Sequence, residues 1–170
     1  MEIRIARRTE LAEAALVLAR GMRDNPNQIA AYGPDPVLRY RRLERTFSRL
    51  LPVMPHPPWV GLEEGKIVAV WGTAAPGTCR FRLGQRLRML PALLGCGLST
   101  TRNILAWMGD WESRDPDQAH WHLGPVAVDR PLQGQGIGSR MMAAWCDMLD
   151  QHSAAAYLET DKPENVRFYR

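Results

Sequence analysis

Lysine is nearly absent: only Lys66 and Lys162 stand among the 22 basic residues, and the rest are arginines. No run of those arginines interleaves with aromatics as in a nucleic-acid module, so nucleic acid is not an expected partner. The net charge of +4 is modest and suits a small anionic ligand. Cysteine is scarce as well. Cys79, Cys96 and Cys146 lie far apart, with no CxxC pair and no zinc-type spacing. Neither a disulfide framework nor a metal centre is expected, and the sparse odd count fits a reducing cytoplasm. Long apolar runs are missing too. MEIRIARRTE has no signal-peptide core. Met89 to Leu98 is too short for a bilayer and contains Pro91. The expected protein is cytoplasmic and has no membrane partner.

What is present suits one globular domain over 1–170, since 170 residues with 45% apolar composition can bury a substantial core. Glu2 to Arg8 alternates like a half-buried strand, and Thr9 can cap the helix carrying Leu11, Ala15, Leu18 and Met22. Asn25-Pro26-Asn27 reads as a break. A second helix is expected from Asp35 to Leu51, with Leu43, Phe47 and Leu50 inward. A hairpin follows, Trp59 to Glu63 and Lys66 to Ala74, turning at Glu64-Gly65. Residues 79–113 read as a helical insertion. Its first helix shows an apolar face of Leu83, Leu87, Leu90 and Leu94, with Arg82, Arg86 and Arg88 off it. Its second places Ile104, Leu105 and Met108 inward. Then come a strand (His120 to Val128), a helix (Gly134 to Gln151), a strand (Ala154 to Thr160) and a helix begun by Pro163. Strands and helices mixed in this order predict an α/β fold, a central sheet flanked by helices.

The informative stretch is VAVDRPLQGQGIGSRMM. Glycines at a helix start let a ligand approach the backbone, and the free N–H groups with the helix dipole favour an anion. This is the chemistry of a phosphate or pyrophosphate cradle. Gly134, Gly136 and Gly138 nearly form a dinucleotide fingerprint, with Glu159 about 20 residues on, but Ser139 stands where its last glycine belongs. A P-loop fails for want of Gly-Lys-Ser/Thr. Gln133, Gly136 and Gly138 match the Q/R-x-x-G-x-G/A pattern of acetyl-CoA-binding enzymes. Cys146 sits in a helix-interior pattern and reads as core.

HWHLGPVAVDRPLQGQGIGSRMM resembles motif A of the GNAT superfamily, and YLETDKPENVRFYR resembles the motif B that follows, most of all in the branch that includes puromycin N-acetyltransferase. The resemblance implies a mixed, mostly antiparallel sheet whose fourth strand is splayed from its neighbour. It implies acetyl-CoA as co-substrate, a small-molecule amine as acceptor and direct acetyl transfer in a ternary complex, and it admits a homodimer. Val126 and Val128 would offer backbone groups to the pantetheine arm. Gln133, Gly134, Gln135, Gly136, Ile137, Gly138 and Ser139 would hold the pyrophosphate, and Asn165 would touch the arm from the other side. Tyr169 matches the tyrosine near the cofactor sulfur. Relatives continue into two more strands, so the resemblance reads the chain as cut inside its last helix.

Such chemistry needs a base for the acceptor ammonium and an acid for the departing thiolate. A phenol suits the acid because its ordinary pKa is about 10. Glu112, His120, His122 and Glu159 are candidates for the base, with His122 and Glu159 taken into the expected catalytic set beside Tyr169. His120 and His122 should share one strand face, opposite Trp121. A chain that kept the glycine cradle without acid and base would instead be an acyl-CoA-binding or sensor module.

Overall fold

The computed structural model describes residues 1–169. Its sheet has five strands in the order β1-β2-β3-β4-β5: Glu2–Ile5, Trp59–Glu63, Lys66–Ala74, Trp121–Val128 and Ala156–Leu158. The first three pairings are antiparallel and β4 with β5 is parallel. This is the expected mixed sheet. Helices cover both faces. On one, α1 (Leu11–Met22) packs Val17 and Leu18 against Val60, Val70 and Ala127. On the other, α6 (Ile137–Gln151) packs Ile137, Met141 and Trp145 against Trp71 and Leu123. Val70 and Trp71 thus point to opposite layers, as neighbours on a strand must.

The break at Asn25-Pro26 is in fact a helix start. Pro26 opens α2 (Pro26–Tyr32), where its missing N–H costs nothing and its φ is already helical. Pro36 opens α3 (Pro36–Leu50) in the same way, and Asp35 caps it by accepting from the N–H groups of Val37 and Leu38 at 2.8 and 3.0 Å.

The insertion forms two helices, α4 (Leu83–Leu94) and α5 (Leu98–Arg114), but α4 is rotated from the expected face. Leu83, Leu87 and Leu94 are exposed, while Met89 and Leu93 are buried. Leu93 joins Leu43 of α3 and Ile104 of α5 in a third cluster. Two apolar stripes overlap on this helix, and contact with α3 selects the one carrying Met89 and Leu93. On α5, Ile104 is buried as expected whereas Leu105 is exposed. Cys146 is exposed on α6 and is not core. No described helix is long and apolar enough to cross a membrane.

Candidate active site

Three local structures meet where β4 leaves β5. The first is the strand itself. It pairs with β5 only through Trp121, His122 and Leu123, facing Ala156, Tyr157 and Leu158. On its other edge it stays paired with β3 as far as Val128 opposite Ala69. Between these limits lies a bulge, with Gly124-Pro125 set against Gly72. A Cβ on Gly72 would come 2.6 Å from the Gly124 carbonyl oxygen, so only glycine fits. The Asp129 N–H donates to Val68 of β3 at 2.8 Å. Backbone groups alternate along a strand, so those of Val126 and Val128 face the open edge.

The second is the turn after β4. Asp129 is clamped to α1 by Arg20, at 2.8 and 2.7 Å. The Gln133 side chain donates to the carbonyls of Val128 and Gly21, at 3.0 and 3.3 Å, and that of Gln135 to Pro131 at 3.3 Å. Both glutamines therefore shape the turn with their side chains. Gly134 and Gly136 have φ of 79° and 78°. This left-handed conformation is incompatible with a right-handed helix, so α6 begins at Ile137, later than the sequence pattern suggests. Among the described residues, no backbone N–H from Gly134 to Ser139 donates within the protein. An added Cβ at Gly134 or Gly136 meets nothing within 4 Å, so the space above them is open. Free donors, a helix dipole and open space together fit a pyrophosphate. The last helix, α7 (Pro163–Tyr169), carries Asn165 and Tyr169. Phe168 rests on the start of α6, near enough that a Cβ on Gly138 would be 3.1 Å from its ring. Burial pushes the Tyr169 phenol up, so it keeps its proton at neutral pH.

The third is a cavity of about 250 Å³ roofed by the insertion and floored by the sheet. His122, Gly124 and Pro125 of β4 line it, with Trp107, Trp111 and Glu112 of α5. Asp115, just past α5, organises its polar end. Its Oδ1 lies 3.1 Å from His120 Nε2 and 3.2 Å from His122 Nδ1. His120 Nδ1 lies 2.6 Å from the Gln118 carbonyl oxygen, so both nitrogens of this buried ring face acceptors. Tyr157 of β5 sets its ring edge-on to both histidines, at centroid distances of 5.6 and 5.5 Å. Its hydroxyl donates to Glu159 Oε1 at 2.7 Å, and burial followed by that carboxylate pushes the phenol up to about 12. Trp121 points to the opposite layer, onto Trp145, as expected.

Of the four candidate bases, His122 and Glu112 line the cavity. Glu112 is held by the Arg86 guanidinium at 2.9 and 2.7 Å. Glu159 is engaged by Tyr157, and its Oε2 is buried without a partner among the described residues. The spacing of cysteines gave no hint of a metal centre, yet the fold gathers Cys79, Asp115, His120 and His122 with their donor atoms within 4.8 Å of one another. Cys79 Sγ lies 3.7 Å from His120 Nε2, and burial, then Asp115, push its thiol up and keep it protonated. Asp115 and Tyr157 were both missed from sequence. Asp115 lies outside both motifs and reads as loop, and Tyr157 opens the motif B stretch without being singled out there.

Residues 25–170 match the model of the acetyltransferase (GNAT) family. Solved structures share the fold at low identity. The "histone acetyltransferase HPA2 and related acetyltransferase" of Corynebacterium glutamicum superposes with a TM-score of 0.65 at 17% identity, over 98% of this chain and 80% of that one. A GNAT-family acetyltransferase of Brucella melitensis, solved with acetyl-CoA, gives 0.52 at 18% identity, over 98% and 80%. An agmatine N-acetyltransferase gives 0.57 at 16% identity, over 99% and 79%.

Proposed function

The chain belongs to the acetyltransferase (GNAT) family, and we propose that it transfers the acetyl group of acetyl-CoA to the primary amine of a small-molecule acceptor. One observation carries this reading. The unpartnered N–H cradle, the open edge of β4 and the His122 end of the cavity follow one another along a single strand.

When bound, acetyl-CoA supplies an activated thioester. Gly134 to Ser139 offer main-chain N–H groups to its pyrophosphate, and Val126 and Val128 offer backbone groups to its pantetheine arm. Asn165, on α7, closes the arm from the far side. The acceptor amine enters the cavity as an ammonium and must lose a proton to become a nucleophile. His122 takes it. Its Nδ1 lies 3.2 Å from Asp115 Oδ1, and the tautomer that donates there leaves the Nε2 lone pair free for the amine. Asp115 is thus a positioning residue that fixes the tautomer. A backbone N–H on the open edge of β4 faces the charge that develops on the carbonyl oxygen; fixed donors of this kind are worth about 3–4 kcal/mol of barrier. Tyr169, protonated at neutral pH, gives its hydroxyl proton to the departing sulfur. Glu159 serves through Tyr157, steadying the ring that packs on the histidines, rather than as the base itself.

The test is a thermal shift. At about 100 times its Kd, acetyl-CoA adds about 2.7 kcal/mol of stability, which raises the Tm of a chain this size by about 5–11 °C. NAD should give no shift. Stabilisation by NAD with none by acetyl-CoA or CoA rejects the reading.

A further inference from the structure

Four side chains of metal-ligating type meet at the polar end of the cavity, and the proposed mechanism uses only two of them. Cys79, Asp115, His120 and His122 each offer one donor atom, all within 4.8 Å of one another. Cys79 Sγ stands 3.7 Å from His120 Nε2. Asp115 Oδ1 stands 3.1 Å from that nitrogen and 3.2 Å from His122 Nδ1. Zinc bonds of about 2.0–2.3 Å set tetrahedral donors about 3.3–3.7 Å apart, so the widest pair need close by only about 1 Å. A thiolate with two imidazoles and one carboxylate suits zinc, whereas magnesium and calcium take oxygen donors. The Cys79 thiolate and the Asp115 carboxylate together cancel the charge of the ion, as a site sheltered from water requires.

His120 gives a second, independent sign. Its side chain is 7% exposed. Its Nδ1 lies 2.6 Å from the Gln118 carbonyl oxygen, which can only accept, so the neutral ring keeps its proton there. The Nε2 lone pair then faces Asp115 Oδ1, one acceptor against another. A cation between them turns that contact into attraction. A carbonyl on the far ring nitrogen is also how metal-binding histidines are oriented. Cys79, Asp115 and His122 line the cavity, which gives an ion its route from solvent.

We propose that these four side chains form a zinc site whose occupation blocks acetyl transfer. Binding expels the Cys79 thiol proton to solvent. It draws His122 Nδ1 and Asp115 Oδ1 into coordination, so the carboxylate no longer sets the base for the amine. The blockade rests on the base assignment above; the site itself does not.

Calorimetry on the metal-free protein should give one zinc per chain. Cobalt(II) in its place should show tetrahedral absorption with a thiolate charge-transfer band. Cys79→Ala and His120→Gln should each weaken zinc binding by more than about 100-fold, beyond the loss of an outer-shell partner. Cys146→Ala, which removes the exposed thiol, should not change it. Cys79→Ala should keep the wild-type rate of thiol release from acetyl-CoA and lose its inhibition by zinc. Absent saturable binding, or unchanged affinity in Cys79→Ala, overturns the site. Should Cys79→Ala and His120→Gln unfold, the cobalt spectrum of Cys146→Ala decides, and a missing thiolate band overturns it. Zinc bound with transfer undiminished leaves the site standing and rejects the relay through Asp115 and His122. Failure of acetyl-CoA to stabilise the protein removes the transfer reading alone, since the zinc titration still decides the site.

Discussion

Asp115→Asn tests the proton relay at its centre. The substitution keeps the volume of a side chain that sits between His120 and His122, at 3.1 and 3.2 Å. It removes the charge and lets an amide N–H face nitrogens that now meet only an acceptor. The His122 ring can then turn or change tautomer, so that Nε2 carries the proton and cannot take one. Losing an oriented base costs about 10²- to 10⁴-fold in rate, or about 2.7–5.4 kcal/mol of barrier. KM for acetyl-CoA should stay within about twofold, because the cradle lies at the other end of β4 and distant sites are nearly independent. Two histidines exchange a shared carboxylate for a neutral amide with one accepting oxygen, which costs about 1–3 kcal/mol of stability, so the Tm is measured alongside. The control is a double-mutant cycle with His122→Gln. Groups acting as one unit are not additive, so the double variant should be no slower than His122→Gln alone. Additive losses, or an Asp115→Asn variant within about threefold of the wild-type kcat, refute the relay.

Four further outcomes follow from the same geometry. Gly136→Val should weaken CoA binding by calorimetry more than it lowers the Tm, because it both strains a φ of 78° and fills the open space above the turn. Tyr169→Phe should lower kcat by about 10²-fold or more, with CoA affinity unchanged because the ring remains. EDTA should leave kcat intact, whereas added zinc should inhibit by drawing Cys79, Asp115, His120 and His122 onto one ion, and Cys79→Ala should relieve that inhibition in steady-state kinetics. Glu10, held down to about 2 by its hydrogen bonds from Arg4 and the Arg7 backbone, stabilises the fold above its ordinary value of 4.5. Chemical denaturation should therefore show wild type ahead of Glu10→Gln at neutral pH, with the gap closing as pH falls from 4.5 toward 2.

The proposed cofactor half of the site can be named from sequence because it is contiguous. A strand, a turn and a helix start follow one another from Val126 to Ser139, and glycine spacing reports backbone freedom directly. Gln133 was read as part of the cradle, and its side chain serves that cradle indirectly by bonding Val128 and Gly21. The acceptor half is legible only in His122 and Glu112, which the sequence offers as bases. Trp107 and Asp115 come from α5 and the loop after it, and only the folded chain brings them to the same cavity. The α4 register was missed for a related reason. Periodicity finds an amphipathic helix but cannot choose between overlapping stripes, and Leu93 is buried because Leu43 and Ile104 are there to meet it.

The insertion links specificity to chemistry. Cys79 stands just before α4 and reaches His120 at the start of β4, and Asp115, just after α5, reaches both His120 and His122. Between them, α5 supplies Trp107, Trp111 and Glu112 to the cavity wall. In the proposed mechanism, the segment that would recognise the acceptor is therefore anchored by the carboxylate that would orient the base. Under the proposed mechanism, a change in α4 or α5 that moves the aromatic wall is expected to shift Asp115 and with it the His122 ring. The cradle at Gly134 to Ser139 is insulated from this, being fixed to α1 through Arg20 and Asp129 and through Gln133 and Gly21. Variation within residues 79–113 should accordingly change kcat and acceptor choice together while leaving CoA affinity nearly constant. Under the proposed mechanism, such a frame would hold the cofactor rigidly, delegate acceptor fit and base orientation to one insertion, and so acquire a new acceptor without rebuilding the rest.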